Sequence, residues 1–132
     1  MSEETKKTIL LIDDEVDLVD MIKYLFVARG YIVATAYDGL EGLERLKEIK
    51  PDLIILDMNM PRMDGLEFFQ KIMGPDHRAM HPVLVLSARA NAEQMVKEIG
   101  VDGFISKPFS VELLIERVEN IIRTGGQNRS IN

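Results

Sequence analysis

The chain has 132 residues, of which 46% are hydrophobic and 29% charged, with a formal net charge of −6 and no cysteine. That length suits one domain able to bury a core without staples, and the missing cysteines exclude disulfides, thiolate metal sites and Cys nucleophiles. The acidic balance argues against direct binding to nucleic acid; no apolar run nears the ~20 residues of a membrane span, and the charged residues 1–7 lack the apolar stretch of a signal peptide, so a cytoplasmic location is expected.

In chain order, Ile9-Leu10-Leu11-Ile12 predicts a first strand. Leu18, Val19, Ile22, Leu25 and Phe26 then recur with helical period, and Gly30 stands where a helix C-cap belongs. Tyr31-Ile32-Val33-Ala34 predicts a second strand, Leu40, Leu43 and Leu46 a second helix, and Leu53-Ile54-Ile55-Leu56 a third strand. Asp64 and Glu67 have the spacing of a reciprocal cap for a third helix with Leu66, Phe69, Ile72 and Met73 on one face. Val83-Leu84-Val85-Leu86 predicts a fourth strand, followed by a short helix with Ala92, Met95, Val96 and Ile99, capped by Asn91 and ended by Gly100. Gly103-Phe104-Ile105 is a weaker fifth strand, and Ser110 caps a last helix carrying Leu114, Val118, Ile121 and Ile122. The first four runs are continuous rather than alternating, which is how strands covered on both faces read. Strict βα alternation predicts an α/β fold with a parallel sheet, helices on both faces and right-handed crossovers. The domain is expected over residues 8–124, with residues 1–7 as an extension and 125–132 as a frayed tail.

In an open α/β sheet, ligands bind outside the carboxyl ends of the strands. Those ends carry Asp13-Asp14-Glu15 after the first run, Asp57 after the third, Ser87 after the fourth and Lys107-Pro108 after the fifth. Taken singly, Asp14 reads equally well as a helix N-cap, Ser87 as a turn residue, and Lys107-Pro108 as a loop. Asp57 abuts an apolar strand and needs a partner. Clustered carboxylates repel unless a cation neutralises them, and the single ammonium of Lys107 leaves a deficit. Mg²⁺ suits such a site where phosphate is also handled. A carboxylate nucleophile, a hard cation and an ammonium together form a phosphoryl-transfer device.

These residues, with Asp57-Met58-Asn59-Met60-Pro61-Arg62-Met63-Asp64-Gly65, Ser87-Ala88 and Phe104-Ile105-Ser106-Lys107-Pro108-Phe109, resemble the response-regulator receiver family over about residues 7–124. The resemblance implies a flavodoxin-like, doubly wound sheet of five parallel strands in the order 2-1-3-4-5 with five helices. It implies that Asp57 is phosphorylated by a sensor histidine kinase or phosphotransfer protein. Mg²⁺ would be held by Asp14, Asp57 and the backbone carbonyl of Asn59, with Asp13 acting through a water. Lys107 would pair with the phosphoryl group, Ser87 would hydrogen-bond to it, and Phe104 would be the aromatic switch. The Lys107–Pro108 bond would be cis. Such a chain is a signalling switch acting on a downstream protein target, and catalyses only its own phosphorylation and dephosphorylation.

Two features depart from the family pattern. The helix between Ser87 and Lys107 reads as about half a turn short, and the switch aromatic is Phe rather than Tyr. Two other readings fit less well. A haloacid-dehalogenase-type phosphatase needs a second acid where Asn59 stands, and a flavodoxin-type electron carrier needs a phosphate loop where Asp13-Asp14-Glu15 would repel the phosphate. The chain reads as a single-domain regulator rather than the excised receiver of a longer one. His77 and His81 read as solvated loop residues.

Overall fold

The computed structural model describes residues 6–58, 65–73, 80–88, 94 and 100–125. Five parallel strands, β1 (Thr8–Ile12), β2 (Ile32–Ala36), β3 (Leu53–Asp57), β4 (Val83–Ser87) and β5 (Gly103–Ser106), form one sheet in the order β2-β1-β3-β4-β5. The described helices are α1 (Val16–Ala28), α2 (Gly39–Leu46), α3 (Gly65–Lys71) and α4 (Val111–Thr124). The helix expected around Ala92, Met95, Val96 and Ile99, with its cap Asn91, lies outside the described residues except for Gln94, which is helical. Asp64, Asn59 and His77 lie outside them as well.

The continuous apolar runs have a simple cause: successive side chains of a strand point to opposite faces, and both faces are covered. Leu10, Ile12, Ile54, Leu56, Val83 and Val85 join Phe68, Phe69 and Ile72 on one side of the sheet. Ile9, Leu11, Leu53, Ile55, Leu84 and Leu86 join Val19, Ile22 and Phe26 of α1 and Leu114, Val118 and Ile121 of α4 on the other. Each fully buried Leu, Ile or Phe contributes about 1.5–3 kcal/mol, so the central strands carry most of the hydrophobic stabilisation. β2 departs from the expectation for a strand covered on both faces. It is an edge strand, Ile32 is 46% exposed, and Arg45 donates to the Thr35 carbonyl at 2.9 Å.

Helix ends follow their caps. Gly30 at φ +99° closes α1 in a Schellman turn, with Tyr31 N–H donating to the Phe26 carbonyl and Gly30 N–H to that of Val27. Asp38 caps α2 by accepting from Glu41 N–H, and Ser110 caps α4 by accepting from Leu113 N–H. Gly125, expected at the head of the frayed tail, is instead the left-handed C-cap of α4 at φ +75°, donating to the Ile121 carbonyl; residues 126–132 are outside the described set. His81 is half-buried rather than solvated, its Nδ1 lying 3.2 Å from the Pro51 carbonyl oxygen.

Candidate functional site

Parallel pairing brings the strand ends to one edge. Ile12 registers with Leu56, Asp57 with Leu86, and Ser87 with Ser106. Asp13, Asp57, Ser87 and Lys107, far apart in sequence, therefore meet at the carboxyl end of the sheet. Two backbone bonds extend the ladders into the site: Asp13 N–H donates to the Ala36 carbonyl at 3.1 Å, and Lys107 N–H to that of Ser87 at 2.9 Å. The Lys107–Pro108 peptide is cis.

Asp13 is fully buried, Asp57 and Ser87 nearly so, and Asp14 is exposed. Of the two ways to read Asp14 taken singly, the helix N-cap is not the one found. Glu15 occupies the N-cap of α1 without a side-chain capping bond, and Asp13 Oδ1 accepts from Glu15 N–H at 3.0 Å. One oxygen each of Asp13, Asp14 and Asp57 lie within 4.8 Å of one another. Against these acids stands Lys107, whose Nζ donates to Glu15 Oε1 at 2.7 Å and Asp13 Oδ2 at 2.9 Å and lies 3.6 Å from Asp57 Oδ1. The two shorter contacts of Lys107 go to the acids that follow β1, and the longer one to Asp57.

The electrostatics follow from burial and pairing. Burial pushes the Asp13 carboxyl above its ordinary pKa, and the Glu15 backbone N–H and Lys107 only partly oppose it. For Lys107, burial works against the charged form, but the hydrogen bonds to Glu15 and Asp13 and the Asp57 charge outweigh it and raise its pKa. Lys107 is thus held as a cation, and among the described residues one cation faces four acids. The three clustered aspartates offer the hard oxygen donors that Mg²⁺ takes, so the residues fit that ion.

The backbone around Asp57 is tight. A Cβ on Gly65 would stand 2.5 Å from the Asp57 carbonyl oxygen and 2.6 Å from Met58 Cα, and Gly65 N–H donates to the Met58 carbonyl at 3.0 Å. Phe104 is half-buried on β5 against the core that includes Val83 and Val85. Of the residues singled out from the sequence, Asp13, Asp14, Asp57, Ser87 and Lys107 come together, Phe104 lies one layer below, and Asn59 falls outside the described residues. Sequence reasoning gave Glu15 no role, although it continues the same acidic run, and did not single out Gly65 within its motif.

No helix among the described residues is long and apolar enough to cross a membrane. The profile of the response regulator receiver domain matches residues 9–119. The chain is similar to the alkaline phosphatase synthesis transcriptional regulatory protein PhoP of Bacillus subtilis, with 38% identity over 89% of this chain and 49% of that protein. It is also similar to hybrid signal transduction histidine kinase D of Dictyostelium discoideum, at 36% identity over 89% of this chain and 8% of that one. Among solved structures, the chemotaxis response regulator CheY4 of Vibrio cholerae superimposes with a TM-score of 0.79 at 31% identity, covering 89% of this chain and 99% of that chain. The chain spans about half the length, or less, of the curated relatives it matches.

Proposed function

The chain belongs to the response regulator receiver domain family of two-component signalling, and on that premise we propose that Asp57 is its phosphoacceptor. A carboxylate oxygen of Asp57 attacks the phosphorus of a phosphohistidine donor. The P–N bond breaks, the imidazole leaves and takes up a proton, and an acyl phosphate forms on Asp57. The observation that carries this reading is a nearly buried carboxylate at a strand end, facing a fixed ammonium and two further aspartates. Such a carboxylate is shielded from bulk water, and its surroundings suit the charge that develops on transfer.

Asp14 and Asp57 would hold Mg²⁺, with Asp13 beside them and the Asn59 carbonyl completing the set; its chemical contribution is neutralisation of charge on the phosphoryl oxygens. Lys107 supplies a fixed charge to the same oxygens, and Ser87 a hydroxyl. The donor is a sensor histidine kinase or phosphotransfer protein, and the output is a changed protein-binding surface reached through Ser87 and Phe104. The acidic chain acts through a downstream protein and not on nucleic acid itself.

Incubation with acetyl phosphate and Mg²⁺ tests this directly. Intact-mass spectrometry should show one added phosphoryl group on the parent and none on Asp57→Asn. An adduct on the variant, or none on a folded parent, overturns the assignment.

A further inference from the structure

We propose that Glu15 is a positioning residue that holds Lys107 back from Asp57 at rest, and that an anion captured at Asp57 takes the ammonium by displacing Glu15. The inference rests on the reading of Asp57 as phosphoacceptor and adds a control on when Lys107 becomes available.

An ammonium has three donors. In this site two of them are committed at 2.7 Å to Glu15 and 2.9 Å to Asp13, while Asp57 stands off at 3.6 Å, beyond hydrogen-bond distance. A phosphoryl group on Asp57 brings roughly −1.5 to −2 charge and three strong acceptor oxygens. The third donor of Lys107 can meet that group as it stands, and any second short contact with the phosphoryl oxygens requires loosening one of the two existing bonds.

The two partners differ in how easily they let go. Asp13 has no exposure, and losing the ammonium would leave its buried Oδ2 without its counter-ion and out of reach of water. The Glu15 side chain is 60% exposed and would return to water. Glu15 is also not held by its own helix: it sits at the N-cap of α1 and makes no side-chain capping bond there. The fold therefore gives Lys107 one fixed counter-ion and one removable counter-ion, and the removable one opposes capture.

Exposed ion pairs of this kind are weak, so the hold is modest: its loss should tighten anion capture roughly two- to fivefold. The probe is beryllium trifluoride, a phosphoryl mimic, titrated with saturating Mg²⁺ into the parent, Glu15→Gln and Glu15→Asp. Glu15→Asp keeps the negative charge but is one methylene too short for the 2.7 Å contact. Both variants should bind the mimic more tightly than the parent. Tighter binding by Glu15→Gln alone would show simple repulsion between Glu15 and the anion, and unchanged binding by both would show no hold; either result overturns the proposal. NMR of the Lys107 ammonium gives a second readout. Its resonance should differ between resting parent and resting Glu15→Gln and coincide once the mimic is bound; identical resting spectra overturn the proposal. A folded parent that binds no mimic at all would overturn the phosphoacceptor reading itself, which is a different result from binding indifferent to Glu15.

Discussion

Gly65 closes onto the backbone of Asp57: a methyl group on Gly65 would stand 2.5 Å from the Asp57 carbonyl oxygen. The chain that leaves β3 thus returns against the residue it has just presented. At that separation the neighbour is backbone, which cannot step aside as a flexible side chain would.

Gly65→Ala should therefore be destabilised by about 1–3 kcal/mol, the usual cost of overpacking, and should be phosphorylated more slowly because Asp57 is displaced. Urea denaturation and phosphorylation by acetyl phosphate check the two effects separately. Parent-like stability together with a parent-like rate would show that the contact does not set the position of Asp57.

The acidic residues after β1 should separate by burial. Asp13→Ala removes a fully buried partner of Lys107 and should cost about 3 kcal/mol, the lower end for breaking a buried pair because Glu15 still holds the ammonium. Asp14→Ala removes an exposed charge from a crowded group and should leave metal-free stability unchanged or slightly raised. It should nevertheless abolish most of the stabilisation by Mg²⁺, which in the parent would reach about 2.7 kcal/mol at 100 times Kd. Melting curves of the three proteins with and without Mg²⁺ decide the matter. An undiminished Mg²⁺ response in Asp14→Ala would remove Asp14 from the metal set.

Much of this was legible in the sequence, for identifiable reasons. β1, β3 and β4 feed a core on each face, so their apolar runs are unbroken. An unbroken run does not say how many neighbours a strand has, which is why β2 read as covered although it is an edge. Tyr31 read as part of that strand because the preceding Gly30 turn uses its N–H and hides the boundary. Leu40 shares its spacing with Leu43 and Leu46 but is 41% exposed. α2 presses Gly42 onto the sheet, where a Cβ would stand 2.6 Å from Ile12 Cδ1, and apolar periodicity cannot register a contact made by a missing side chain. The site residues were readable because parallel strands gather their ends. The partner choice of Lys107 was not, since it depends on differences of less than an ångström.

A pH effect should come from the clasp between α1 and α4. Arg29 donates twice to Glu119, at 2.9 and 3.0 Å, and Tyr31 Oη donates to it at 3.3 Å. The Arg29 hydrogen bond, foremost, lowers the Glu119 pKa from its ordinary 4.5. A carboxyl whose folded pKa is depressed contributes stability that is present above the ordinary value and is lost as pH falls through the depressed one. Glu119→Gln should thus melt slightly below the parent at neutral pH, and the gap should close as the pH falls below the ordinary 4.5 and through the depressed value. The effect is small because the pair is partly solvated. A gap that stays constant from neutral to acid pH would mean that Glu119 acts by packing and not by charge.

The last prediction concerns how a change at Asp57 reaches the surface. Val85 registers with Phe104 and Ser87 with Ser106, so Ser87 and Phe104 stand on the same face of the sheet, one pleat apart on adjacent strands. Ser87 is buried, and its carbonyl accepts from Lys107 N–H, tying the end of β4 to the residue that carries the ammonium. Phe104 is only half-buried, and it has no hydroxyl to fix it either inward or outward. An aromatic ring at the margin of a core gains modestly by moving further in, and a small gain of that kind is what a two-state element requires. If the phosphoryl group draws the Ser87 hydroxyl toward Asp57, it biases the ring through the shared face. A shift of the ring from mostly outward to mostly inward needs a bias of a few kcal/mol, within reach of one charge-assisted hydrogen bond and the contacts that follow it. Ser87→Ala should still accept phosphate, more slowly, yet leave Phe104 as in the resting protein. Fluorine NMR on a labelled Phe104 should show two exchanging environments whose populations move on phosphorylation in the parent and stay put in Ser87→Ala. One unchanging environment in the parent, with and without phosphate, would show that this receiver transmits its signal by another route.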